Sequence, residues 1–120
     1  MVTGKTGDLL GAASALLMHA LKAVTGVDET IPVIDDAAIE PICRLKTEHL
    51  NSVNRRLHSD ETLIALSITS ATSPVAARVI DGLKQLQGCD AFFSVIISST
   101  DEALYRKLGI NVCCEPKYER

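Results

Sequence analysis

Aromatic side chains are scarce in this 120-residue chain, which holds two Phe, two Tyr and no Trp. A core must therefore be assembled from layers of Leu, Ile, Val and Ala, a composition that favours helices packed on a parallel sheet. Basic excess is also missing. The formal charge of −3 gives no overall attraction for nucleic acid or an anionic membrane, whose binders carry a strong positive balance, so neither is expected as a partner. The longest apolar stripe is broken by His19 and Lys22 and falls short of the roughly twenty clean residues that a membrane span needs. A charged leader followed by an apolar stretch and a small-residue cleavage site is absent too. The four cysteines, Cys43, Cys89, Cys113 and Cys114, form no C-x-x-C pair. In a chain this able to build a core, that pattern points to reduced thiols in the cytoplasm.

What is present fills one domain. A chain of 120 residues has room for a single core that buries roughly two-thirds of the unfolded surface, so residues 1–120 are expected to form one α/β domain. The chain opens on Gly4-Lys5-Thr6-Gly7-Asp8 and passes directly into an apolar stripe from Leu9 to Val24. Leu and Ala recur there at three- and four-residue spacing up to Gly26, which predicts a helix and its stop. A glycine-rich turn that opens a helix usually receives its chain from a packed strand. None precedes this one, so the domain is expected to have been excised from a longer protein.

Ile31-Pro32-Val33-Ile34 reads as a short edge strand, followed by a helix over 37–50 that Asp36 could cap and Pro41 could split. Residues 51–58 read as a polar loop. Ser59-Asp60-Glu61 resembles a helix N-terminus, so Asp60 to Thr72 reads as helix, although the apolar run from Leu63 to Ile68 would also suit a buried strand. Ser73-Pro74 starts a helix that runs to Gly88. Ala91 to Ile97 is a nearly continuous apolar strand of the kind covered on both faces. Ser99 to Glu102 has the spacing of a capping box for a short helix ending at Gly109, and residues 110–114 form a closing strand. The expected fold is a small, mainly parallel sheet of about three strands layered with four to five helices, ending in a right-handed strand-helix-strand crossover.

Two constellations could carry chemistry. Gly4-Lys5-Thr6 shares residues with the tail of a phosphate-binding loop, but that loop's first glycine would fall before Met1. A single phosphate or carboxylate at the helix start, beside Lys5 and Thr6, asks for less. The second constellation is Arg44, Lys46, His49, Arg55, Arg56 and His58, opposed in that stretch only by Glu48. It is the one basic concentration in an acidic chain, although Asp60 and Glu61 could pair with Arg55 or Arg56. Lys5, Thr6, Lys46, His49, Arg56 and His58 are therefore the candidate anion-binding residues. His58-Ser59-Asp60 has the residue types of a serine triad, but sequence neighbours point apart. Glu48-His49 lacks zinc-hydrolase spacing, and no metal or cofactor is expected. Cys113 and Cys114, on a strand, would face opposite ways, one into the core and one under a helix.

The wording of several stretches carries a resemblance. Gly4 to Ala15, Leu45-Lys46 with His49-Leu50, Arg56-Leu57-His58 with Asp60-Glu61, and Lys107 to Asn111 with Glu115-Pro116 resemble the domain-of-unknown-function 1846 family of bacterial proteins. The match covers the whole chain, in order, and corresponds to the carboxy-terminal part of longer members. The chain departs from the pattern at Gly7 and Arg55, so neither is given a role. The resemblance implies an amino-terminal region with a nucleotide-binding-like α/β fold and supplies no catalytic residue. Two functions follow as expectations. One is a docking or oligomerisation module of a larger cytoplasmic protein, in which the apolar surface of Leu9 to Val24 and its neighbours docks on the missing amino-terminal region or on a second copy. The other is half of an anion- or phosphate-binding active site completed by that region.

Overall fold

The computed structural model describes residues 11–50, 57–93 and 97–114. The first helix, α1 (Ala12–Thr25), forms where the apolar spacing places it. Gly26 ends it in the left-handed region at φ 73°, where a side chain would be strained. The Val27 N–H then donates to the Lys22 carbonyl at 2.9 Å.

The segment Ile31–Ile34 is not a strand. Thr30 folds back on Asp28, donating from its N–H (2.8 Å) and Oγ1 (2.6 Å) to Oδ1, and Ile31 N–H reaches the Asp28 carbonyl at 3.0 Å. Further on, the Asp35 N–H donates to Thr69 Oγ1 at 3.0 Å. The Ile31 donor is thus taken by the turn, Pro32 has none, and the residues flanking the segment on both sides are held by side chains, while Val33 is buried in the core.

Helix α2 (Asp36–Arg44) is capped by Asp35, one residue earlier than expected, and runs through Pro41. It changes pitch only after Arg44, continuing as a π-helical turn over Leu45–His49. The segment expected over 60–72 is helical as far as Ser70: α3 spans Ser59–Ser70. The Ser73 hydroxyl caps α4 (Pro74–Ile80), accepting from the Ala76 N–H. A 3-10 helix, Asp81–Leu86, follows. It lies so close to α1 that a Cβ on Gly82 would stand 2.6 Å from Thr25 Cγ2, a separation that only glycine permits.

Strand β1 (Asp90–Phe93), helix α5 (Ser99–Lys107) and strand β2 (Asn111–Cys114) complete the chain. The two strands pair in parallel, Asp90 opposite Asn111 and Phe92 opposite Cys113, as a strand-helix-strand crossover requires. The fold is therefore α/β and rich in helix, with a two-stranded sheet among the described residues. The expected third strand is the irregular segment before α2. The N-cap of α5 is Ser98 rather than Ser99, its hydroxyl accepting from the Asp101 N–H at 3.1 Å.

The main core joins α1, α3, α4, β1 and α5 through Leu17, Leu21, Leu66, Val79, Phe93 and Tyr105. A smaller cluster between α2 and α3 holds Ala38, Ile39, Cys43, Leu57 and Ala65. The stripe of α1 is thus used inside the domain. Tyr105 lies edge-on to Phe93 at a ring-centroid distance of 5.5 Å, and its hydroxyl donates to the Ala13 carbonyl. Burial pushes its phenol pKa well up, and the Asp101 carboxylate adds to the rise.

A raised folded pKa means that the native state keeps its proton where the unfolded chain, ionising near pH 10, has lost it. The associated stability is complete below that pH and lost above it. In a Tyr118→Phe variant, which leaves Tyr105 as the sole tyrosine, the 295 nm phenolate signal should stay silent past pH 10 and appear together with alkaline unfolding. A signal rising near pH 10 in the folded protein would contradict this burial.

Candidate functional site

The N-terminus of α3 gathers most of the described polar chemistry. His58 is its N-cap residue, and Glu61, one turn on, reaches back so that Oε1 accepts from the His58 N–H at 2.8 Å. This is half of a capping box, and it also puts a carboxylate where the helix end carries positive charge. The same Oε1 accepts from Lys46 Nζ at 3.0 Å, across from the π-helical turn, and lies 3.6 Å from His58 Nδ1. Lys46 is buried, so its ammonium sits where water screens poorly and a carboxylate partner counts for more than on a surface.

The structure thus brings Lys46 and His58, two of the candidate anion-binding residues, to one carboxylate. His49, a third, is exposed at the end of the π-helical turn. Lys5, Thr6 and Arg56 lie outside the described residues, as does Arg55. Among the described residues Glu61 pairs with Lys46; the expected pairing of Asp60 or Glu61 with Arg55 or Arg56 falls outside them. Arg44 pairs along its own helix and turn with Glu40 at 3.2 Å and Glu48 at 3.9 Å, all on the surface.

His58, Asp60 and Glu61 each direct one potential metal-ligand atom into a space where all lie within 4.8 Å of one another. Sequence spacing does not reveal this trio, because the three meet only through the shape of the cap. Asp60 Oδ1 is buried without a hydrogen-bond partner among the described residues. Among the described residues, the Lys46 ammonium is the positive charge on this group, through Glu61.

Behind the cap lies a second carboxylate, that of Asp101, buried at the N-terminus of α5. Its Oδ1 accepts from the Ser59 N–H at 2.7 Å and from Ser59 Oγ at 2.6 Å, and its Oδ2 accepts from Ser98 Oγ at 3.0 Å. Two helix N-termini thereby converge on one internal anion. Ser59, expected to cap α3 itself, spends its hydroxyl on this link. The sequence signal was present as Ser98-x-x-Asp101, one register away from Ser99-x-x-Glu102.

The outer surface shows a different chemistry. Phe92 on β1 is 71% exposed, and Ile64 and Ile68 on α3 are 53% and 55% exposed. The alternation along β1, with Ala91 and Phe93 buried and Phe92 outward, replaces the expectation of a strand covered on both faces. Cys113, opposite Phe92, is exposed, where burial or a covering helix had been expected. No helix among the described residues is long and apolar enough to cross a membrane.

The family model described as "Domain of unknown function DUF1846, C-terminal" matches residues 1–120. The chain belongs to the DUF1846 family. It is 49% identical over 120 residues to a UPF0371 protein of Corynebacterium glutamicum (strain R) and 52% identical to one from Corynebacterium efficiens. A UPF0371 protein of Streptococcus thermophilus is 43% identical over 119 residues. These matches cover 99–100% of this chain but 24% of each relative. The DUF1846 chain thus spans about a quarter of the length of the curated relatives it matches.

Proposed function

We propose that this domain is an oligomerisation module of a larger DUF1846 protein, acting through an apolar surface on α3. The observation that carries this is the uncharged stretch from Thr62 to Ala77, which leaves Ile64 and Ile68 on α3 half exposed. Two isoleucines one turn apart on an exposed helix face form an apolar patch that a partner can cover, and depletion of charge is the compositional mark of an interface core. The occupant is a second copy. In a two-fold contact identical patches meet, so a charged stripe would meet its own sign, whereas this one meets none. The small, exposed Ser67 and Ala71 lie along the same stretch and allow close approach of two helices. Lys46 and His58, which an anion would need, are turned toward Glu61, and this favours docking over the half-site reading.

The chain is expected to sediment as a dimer at tens of micromolar, and the Ile64→Asp/Ile68→Asp variant as a monomer. Because both side chains are half exposed, the variant should keep its circular dichroism and lose no more than about 1 kcal/mol of intrinsic stability. With Cys89, Cys113 and Cys114 replaced by serine, Ser67→Cys should oxidise to a covalent dimer. A wild-type monomer at these concentrations, or a double variant that still dimerises, would sink the proposal.

A further inference from the structure

The bare side of the β1/β2 pair asks for a different partner. Its inner side is closed by the domain itself, Phe93 against Tyr105, while Phe92 and Cys113 sit opposite each other on the outer side, both exposed. Asp90 and Asn111, joined by a 2.9 Å side-chain hydrogen bond, form a polar border at one end of that side. Parallel strands occur almost only where both faces are covered, because the crossover that makes them parallel covers one face and leaves the other to a second layer. The second layer is missing from the described residues. We infer that the Phe92–Cys113 face is covered by the polypeptide region that precedes this domain in the full-length protein.

Size decides between that region and another molecule. Two strands of four residues present a face roughly 13 Å long and 10 Å wide, on the order of 130 Å². A stable complex between separate molecules needs about 800 Å² per partner. A covalently attached segment faces no such threshold, since tethering gives it an effective concentration in the millimolar range. The relatives supply the segment. This domain is the C-terminal one of its family and accounts for 24% of their length, so most of each relative lies in front of the matching part. The occupant is therefore an apolar element of that preceding region, with Phe92 as the anchor it receives. This surface is separate from the α3 stripe, so either contact can fail without the other.

The thiol of Cys113 reports on the face directly. In the full-length protein with Cys114→Ala, maleimide labelling of Cys113, followed by mass spectrometry, should be at least ten-fold slower in the native state than in guanidinium. That protection should persist on dilution to a sedimenting monomer and fall at least five-fold in Phe92→Asp. Phe92→Ser serves the same purpose if the aspartate variant does not fold. Native labelling within three-fold of the unfolded rate would overturn the inference, because the face would then be open in the intact protein. Protection that vanishes on dilution to monomer would overturn it as well, by assigning the face to a second copy. Protection unaffected by a folded Phe92 variant would do the same, by removing Phe92 as the anchor.

Discussion

Asp101→Ala should lower folding stability by about 3–5 kcal/mol, more than the loss of any single capping contact. The carboxylate accepts three hydrogen bonds in a buried place, two from Ser59 and one from Ser98. Truncation would leave the Ser59 N–H and hydroxyl without an acceptor while both remain out of water, at roughly 1–3 kcal/mol for each unsatisfied group. It would also remove the negative charge that two helix ends share. For a domain of this size, the melting temperature should fall by at least roughly 10 °C. Asp101→Asn, which keeps an acceptor oxygen but loses the charge and one lone-pair site, should fall in between. A urea titration that shows Asp101→Ala within 1 kcal/mol of the parent would mean that the two helix ends are not tied in this way.

Glu61→Ala is the second large effect, expected at about 2–3 kcal/mol. One carboxylate oxygen serves the His58 N–H and the Lys46 ammonium together, so truncation strips the helix cap and takes the carboxylate from a buried lysine. The Glu61 side chain is itself 23% exposed. Water can reach part of the pair, and the loss is accordingly smaller than for a fully buried ion pair. Glu61→Gln separates the two roles. It retains an acceptor for the backbone and gives up the charge, so its cost should be about half that of the alanine variant, with an unchanged urea m-value. Equal costs for the two variants would assign the whole effect to charge, and no cost for glutamine would assign it to the cap.

The sequence was most readable where local rules act alone. Leu and Ala spacing located α1, Gly26 and Gly109 marked helix ends through their positive φ, and Ser73-Pro74 fixed the start of α4. Leu63 to Ile68 was ambiguous because a short apolar run suits a strand as well as a helix. Its helical state goes with neighbours on two sides, Ala65 packing toward α2 and Leu66 into the main core. Ile31–Ile34 has the composition of a strand, but it is bracketed by a turn closed on Asp28 and by the Asp35 N–H held on Thr69, partners that no window of four residues contains. The Ser59–Asp101 link joins residues 42 apart, and Lys46–Glu61 joins residues 15 apart. Side-chain partners at such separations leave no periodic trace. The outward turn of Phe92 was hidden for a related reason: an apolar strand reads the same whether its second face is covered by its own domain or by another.

That same strand carries a hazard. The stretch Ala91-Phe92-Phe93-Ser94-Val95-Ile96-Ile97 has no charge and no proline, the makeup that lets identical segments from many molecules stack into fibrils. Its sheet has only two strands among the described residues, and an uncharged strand edge is a template on which further copies can pair. An element laid over the Phe92 side would therefore do more than complete a layer: it would also keep this segment from pairing with its own copies.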